Sequence, residues 1–414
     1  MERKAEGTQR KETRWVSTTD LQKILENWAE KGVLVAPTKV NGEVLFQRIR
    51  DIREICWDED YVNSLVPPKE FVLPNEERLL SYRRTDDQNW VVEVCSEENQ
   101  ETILFGVRSC DVAGLAYLDR FLLGEMFSRP DLADPQYKAK REKFILISIV
   151  CQKAAPTCMC VCCDGGPALT EGFDWQLTRL TDGWLVEIGS EKGEKLATGF
   201  HYLLQPATDE AIKEQKERVA TIIRTFDQYS PDERVPTMAA GRMVSRPLLK
   251  EEFWSRIGSR CVECGGCAFI CPTCFCFNVV DRPLSPSLQE GDANELAFCP
   301  LLVGFNGKGA DYERVRYRDC CMLQGFVRQA GGIYPRRTTG ERCKTRFFHK
   351  LSWQFLGRMN RLGCTGCGRC LRTCLGEVGI SRVATEMTEA LAEKKLAPAG
   401  VTAPKREHQR GHPK

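Results

Sequence analysis

Two cysteine runs constrain this chain more than any other feature. Cys261-Val-Glu-Cys264-Gly-Gly-Cys267-Ala-Phe-Ile-Cys271-Pro272 reads C-x2-C-x2-C-x3-C-P, and Cys364-Thr-Gly-Cys367-Gly-Arg-Cys370-Leu-Arg-Thr-Cys374 repeats the rhythm near the C-terminus. In such runs the first three thiolates wrap one 4Fe–4S cubane and the fourth reaches across to ligate the other. The spacing therefore predicts two crossed sets. Cys261, Cys264 and Cys267 join Cys374, while Cys364, Cys367 and Cys370 join Cys271. Gly265, Gly266, Gly366 and Gly368 suit a backbone that folds closely round a cluster with positive φ. A single C-x2-C pair would equally suit zinc, and two such pairs make a structural zinc site. The twinned x2-x2-x3 rhythm points to iron and sulfide instead.

The cysteines also argue for a compartment. There are 22 in 414 residues, far too long a chain for a secreted disulfide scaffold, and the charged start Met-Glu-Arg-Lys-Ala-Glu does not read as a secretory signal. A reducing cytoplasm is expected, in an anaerobe, because exposed thiolates and clusters oxidise readily. Lys and Arg number 59 against 57 Asp and Glu, so no bulk charge calls for nucleic acid. The longest apolar run, Phe144–Cys151, is too short to span a bilayer. With 42% apolar and 28% charged residues the chain reads as globular, with room for two or three domains.

Residues 1–17 are expected to form a disordered terminus. An α/β domain is expected over 18–230. It opens with a helix whose Leu21, Ile24, Leu25 and Trp28 share one face, stopped by Gly32. Val33–Ala36 and Val44–Phe46 read as strands joined by the turn Asn41-Gly42. The proline-bounded segment Pro67–Pro74 reads as an extended surface crossing. Thr102–Val107 and Phe144–Val150 read as buried strands, with a helix between them that carries Leu115, Leu118, Phe121 and Leu122 on one side. Strand, helix, strand makes a βαβ unit with parallel strands. Cys110 and Cys151 then leave the same carboxyl edge, where open α/β sheets place ligands, about 4.8 Å apart by strand spacing. Cys158 and Cys160 follow directly. These four are the candidate ligands of a third 4Fe–4S cluster, with buried structural cysteines as the alternative. Cys162 and Cys163 are left as spares. Phe173–Leu180 and Trp184–Ile188 read as a hairpin, and Asp209–Phe226 as an amphipathic helix. Tyr229–Glu233 marks a domain boundary.

A mostly helical dicluster domain is expected over 245–385, entered by a helix at Leu248–Ile257, with a basic tail from 386 to 414 expected to be disordered after a brief helical start. The two motifs lie about ninety residues apart, further than in a compact ferredoxin-like fold. The interval holds Cys274, Cys276, Cys299, Cys320, Cys321 and Cys343. Cys274 and Cys276 stand close enough to Cys271 to replace it as ligand, or they pack as small apolar groups. Arg336, Arg337, Arg342, Lys344, Arg346, His349 and Lys350 form a basic run. It reads either as charge compensation for anionic clusters, as a partner-docking face, or as a solvated surface.

Phe105-Gly106-Val107-Arg108-Ser109-Cys110-Asp111, Cys158-Met159-Cys160, Gly172-Phe173-Asp174, Cys271-Pro272-Thr273-Cys274-Phe275-Cys276-Phe277 and Asp319-Cys320-Cys321-Met322 follow a family pattern in order. So do Ala330–Arg336 and Arg346–Lys350. On these residues the chain resembles the 4Fe–4S dicluster electron-transfer subunits typified by the beta subunit of sulfhydrogenase and its counterpart in anaerobic sulfite reductase. The resemblance spans roughly residues 18–385. It implies an electron conduit from a subunit that binds flavin and NAD(P)H to a separate catalytic metal subunit, of hydrogenase, sulfur-reductase or sulfite-reductase type. Leu375 departs from the pattern, which usually has proline after the last cluster cysteine, and so do Cys162 and Cys163.

No G-x-G-x-x-G follows a strand, and no P-loop or Ser/His/Asp arrangement stands out, so neither flavin nor NAD is expected on this chain. Three classes remain. They are an electron-transfer subunit of a multi-subunit oxidoreductase, a self-contained reductase acting on a thiol, disulfide or sulfur substrate, and a zinc-rich binding module.

Overall fold

The computed structural model describes residues 12–58, 61–85, 89–95, 100–226, 240–242, 244–245, 249–283 and 311–396. In chain order its strands are β1 (Thr13–Val16), β2 (Val33–Val40), β3 (Glu43–Ile49), β4 (Glu76–Arg84), β5 (Trp90–Val94), β6 (Thr102–Val107), β7 (Phe144–Ile149), β8 (Trp175–Arg179), β9 (Trp184–Ile188), β10 (Gln205–Pro206), β11 (Phe277–Pro283) and β12 (Asp311–Arg318). The helices are α1 (Thr18–Lys31), α2 (Ser109–Leu122), α3 (Pro135–Lys143), α4 (Glu191–Gly199), α5 (Asp209–Arg224), α6 (Glu251–Arg260), α7 (Gly266–Phe269), α8 (Thr339–Leu351), α9 (Trp353–Met359), α10 (Arg369–Arg372) and α11 (Ile380–Leu396).

The larger sheet runs β10-β1-β9-β8-β7-β6-β2-β3, with β2, β6, β7 and β8 parallel in its middle and antiparallel pairs on the flanks. Its central strands are buried on both faces, and their period of two divides the core. Ile103 and Phe105 of β6 pack with Leu21, Ile24 and Trp28 of α1, while Leu104 and Val107 pack with Val112, Leu115 and Leu118 of α2. Each such side chain contributes about 1.5–3 kcal/mol by leaving water. The βαβ unit is present as β6, α2 and β7, in parallel register from Thr102 opposite Phe144 to Phe105 opposite Ile147. Cys110 and Cys151 follow the carboxyl ends of β6 and β7.

Several segments differ from the sequence reading. Thr13–Val16, expected in a disordered terminus, is a strand held between β9 and β10. Pro68–Phe71 is a 3-10 turn rather than extended chain, and its Lys69 is buried. Residues 386–396, expected in the tail, continue α11, and the rest of that tail lies outside the described residues. So does the boundary expected at Tyr229–Glu233.

The interval between the motifs is not purely helical. β11 and β12 extend β4 and β5 into a four-stranded antiparallel sheet, order β11-β12-β4-β5, so this sheet takes two strands from each half of the chain. Its charges hid it. Glu77 of β4, Arg316 of β12 and Lys140 of α3 are all buried, with Glu77 paired to both cations. Paired charges tolerate burial that single ones do not.

Candidate metal centres

The two motifs fold alike. Glu263 and Gly366, at equivalent places, take φ of 58° and 67°, and Gly265 and Gly368 take φ/ψ of 73°/−12° and 75°/−12°. Each of the latter glycines opens a one-turn helix, α7 or α10, that carries the third cysteine. Gly266 lies inside α7 and has no positive φ, contrary to expectation. Glycine is required at 366 for a further reason. A Cβ there would sit 2.4 Å from the Cys160 nitrogen. The equivalent residue of the first motif is Glu263, whose carboxylate pairs with the buried Arg342 at 2.7 Å.

Cys271 leaves its own motif. Its thiol lies within electrostatic reach of Cys364, Cys367 and Cys370, and closest in effect to its own neighbour Cys274. In the first motif, Cys267 neighbours Cys261. Cys374 lies near Cys261 through the backbone, because a Cβ on Gly376 would meet the Arg260 carbonyl at 1.9 Å. Backbone amides face the sulfurs: Gly366 N–H donates to Cys364 Sγ at 3.3 Å, Val378 to Cys374 at 3.3 Å and Ile380 to Cys370 at 3.4 Å. Such donors set the basicity of a ligating thiolate.

The N-terminal candidates also converge. Cys151 interacts with Cys110, Cys158 and Cys160, and Cys160 with Cys158. They lie directly against the second motif. Met159 N–H donates to the Gly366 carbonyl at 2.8 Å, Asn63 Nδ2 to the Cys367 carbonyl at 2.9 Å, and Cys110 interacts with Cys367. Arg369, between Cys367 and Cys370, forms a bidentate pair with Asp111, the neighbour of Cys110, at 2.7 and 3.1 Å. Both side chains are essentially dry.

These surroundings suit anionic clusters. Burial raises the thiols of Cys110, Cys151, Cys158 and Cys160, and pushes Cys267 to about 11 and Cys367 to about 12. Metal ligation requires thiolates, so the site needs buried positive charge. Arg346 supplies it among Cys267, Cys370 and Cys271. It is buried, and its Nε and Nη2 have no hydrogen-bond partner. Burial opposes the charges of Arg346 and Lys350, but the neighbouring thiols outweigh it and hold both cationic. Among the described residues no three His, Cys, Asp or Glu side chains are set to hold a single metal ion, while thiols flanked by N–H donors and buried cations are the chemistry that 4Fe–4S clusters take.

A family model described as a 4Fe–4S dicluster domain matches residues 294–378, a stretch that holds the whole second motif but not the first. Over 365 residues the chain is 27% identical to sulfhydrogenase 2 subunit beta of Pyrococcus furiosus, covering 87% of this chain and 94% of that protein. The chain is thus similar to a 4Fe–4S dicluster domain over its second motif, and to a sulfhydrogenase beta subunit over most of its length. A shorter likeness, 31% over 104 residues, links it to the F420-dependent formate dehydrogenase subunit beta of Methanocaldococcus jannaschii, covering 23% of this chain and 24% of that protein.

Several residues around the motifs escaped the sequence reading. Lys69, in the segment read as a surface crossing, donates to the carbonyls of Cys271 and, at 2.8 Å, Cys274. Burial, then Arg318, pulls its ammonium down to about 7. The basic run divides. Arg342, Arg346 and Lys350 point inward, Lys350 donating to Thr273 Oγ1 at 2.6 Å, whereas Arg336 is half-buried and Arg337 exposed. Only the outer part of the run is available for docking. Three spare cysteines interact with motif thiols: Cys163 with Cys364, Cys274 with Cys271, and Cys343 with Cys261. No periodicity marks such contacts, because each joins residues far apart in the chain. Among the described residues, no helix is long and apolar enough to cross a membrane.

Proposed function

We propose that the chain is the iron–sulfur electron-transfer subunit of a hetero-oligomeric oxidoreductase, relaying electrons from a flavin- and NAD(P)H-linked subunit to a separate catalytic metal subunit or back. Three cysteine sets would each hold a 4Fe–4S cluster: Cys261, Cys264, Cys267 and Cys374; Cys364, Cys367, Cys370 and Cys271; and Cys110, Cys151, Cys158 and Cys160. The observation that carries the reading is their continuity. Cys271 lies within electrostatic reach of Cys364, and the Gly366 carbonyl accepts from Met159 N–H, which supports reading the second set as the middle of a line. When bound, the clusters supply one-electron carriers with potentials set by hydrogen bonds, charge and burial.

The chain's own residues hold that line rigid and dry. Gly366 lets the loop approach, Arg369 and Asp111 lock the two halves across it, and Arg346 and Lys350 balance anionic charge without water. The relative named above is the beta subunit of a sulfhydrogenase, which supports a hydrogenase-type complex for this chain too. A flavoprotein partner follows from chemistry, since a hydride must be split into single electrons before clusters can accept it. The test uses the isolated, anaerobically prepared subunit. Dithionite should reduce it, whereas NADH and NADPH should leave its spectrum unchanged until a flavoprotein is added. Rapid bleaching by a pyridine nucleotide alone would overturn the relay and favour a self-contained reductase.

A further inference from the structure

The spare cysteines are not equivalent. Cys163, Cys274 and Cys343 each face a thiol of a cluster motif, but Cys276 and Cys321 face each other. The fold holds them there. β11 and β12 pair from Phe277 opposite Arg318, and the ladder runs one step further as Asp319 N–H donates to the Cys276 carbonyl at 3.0 Å. Cys276 thus leads into one strand and Cys321 follows the other, at the same end of the ladder. Their neighbour Cys320 also interacts with Cys321, and it has further partners. Its thiol donates to the Gly265 carbonyl at 3.6 Å and accepts from Met322 N–H at 3.3 Å.

The pair is also reachable. Both cysteines line a cavity of about 210 Å³ walled by Tyr117, Phe121, Phe275 and Phe355. Phe121 and Phe275 stack with centroids 4.0 Å apart, so the wall is built of packed rings. A cavity of this size, lined also by Arg346, His349 and Lys350, admits a small molecule and excludes a tripeptide disulfide. Cys321 is buried and Cys276 half-buried, so a small disulfide reaches Cys276 first, although Cys321 and burial hold the Cys276 thiol protonated until attack begins.

We propose that Cys276 and Cys321 form a redox-active dithiol that exchanges with a small disulfide admitted through this cavity. Attack of the Cys276 thiolate on the small disulfide breaks its S–S bond, releases one thiol and leaves a mixed disulfide. Cys321 then attacks the Cys276 sulfur, forming the Cys276–Cys321 bond and releasing the second thiol. Two protein thiols are oxidised and one small disulfide becomes two thiols, with protons and electrons balanced. The inference goes beyond the relay, because neither cysteine belongs to the three proposed ligand sets.

The test incubates the full-length, anaerobically prepared protein with 2-hydroxyethyl disulfide, then alkylates it and maps its peptides by mass spectrometry. A Cys276–Cys321 crosslink that reduced dithiothreitol reverses is expected, with oxidised glutathione reacting at least about tenfold more slowly because access limits exchange. Cys276→Ser and, separately, Cys321→Ala should abolish the crosslink and keep the wild-type iron content. Full alkylation of both cysteines after oxidant, crosslinks elsewhere, or equal rates with the two disulfides would overturn the proposal. Loss of about four irons in either variant would also overturn it, by making that cysteine a cluster ligand. Iron content and crosslinking are read separately, so failure here is distinct from failure of the relay.

Discussion

Replacing Asp111 with asparagine tests the junction between the N-terminal thiols and the second motif. Arg369 is fully buried, held by two bonds to Asp111 at 2.7 and 3.1 Å and by Nε to the Ser64 carbonyl at 2.7 Å. The Asp111→Asn change would keep an acceptor but remove the charge, leaving a dry guanidinium uncompensated. Breaking one partner of a buried pair costs about 3–5 kcal/mol. The retained bonds to Ser64 place this variant near the lower end, at about 3 kcal/mol, roughly a hundredfold in the folding equilibrium. Arg369→Met should cost a similar amount by orphaning Asp111. The double variant Asp111→Asn with Arg369→Met removes both charges and should cost less than either single change, a coupling of about 3 kcal/mol or more. Anaerobic guanidinium unfolding, followed by circular dichroism, measures all four proteins. Single variants within about 0.5 kcal/mol of wild type, as for surface changes, or a strictly additive double variant, would refute the reasoning.

Cys374→Ser should damage the cluster of Cys261, Cys264 and Cys267 and spare that of its own motif. Loss of the second-motif signal in electron paramagnetic resonance, with the first intact, would contradict the crossed assignment. Gly366→Ala should lower stability by at least about 2 kcal/mol, since it adds a clash with Cys160 to the strain of positive φ. Gly331→Ala, with φ of 79° and open space, is its control at about 1 kcal/mol, and equal thermal midpoints would remove the clash from the account. Burial, then Lys350 and Arg336, pulls His349 from 6.5 down to about 4. Its neutral form is favoured in the fold, so its contribution is complete above about pH 6.5 and is lost as pH falls from there toward about 4. Between pH 7.5 and 5.5 the loss is about 1 kcal/mol, and His349→Gln should abolish that part of the pH dependence. Equal slopes in variant and wild type would exclude His349 as its source.

What the sequence made legible follows from range. The helix at Leu21–Trp28, the βαβ unit and the two motifs are written in local periodicity and spacing, and all are present. The carboxyl-edge position of Cys110 and Cys151 followed from chain direction alone. Lys69, Arg369 and Arg346 act through contacts between distant segments, and as single charged residues they resemble surface. β4 and β12 escaped for the same reason. Their Glu and Arg residues read as solvated, and only cross-strand pairing makes their burial tolerable. The strand Thr13–Val16 was hidden by its polar neighbourhood, since its order comes from β9 and β10 rather than from its own composition.

The central claim is that three thiol sets stand in line, and iron and acid-labile sulfide content tests it most directly. Anaerobically prepared full-length protein should contain about twelve of each per chain if all three sets hold cubanes. Cys151→Ser should bring both to about eight, and Cys271→Ser should also lower them. About eight irons in the wild-type protein, unchanged by Cys151→Ser, would contradict a third cluster at the edge of the sheet.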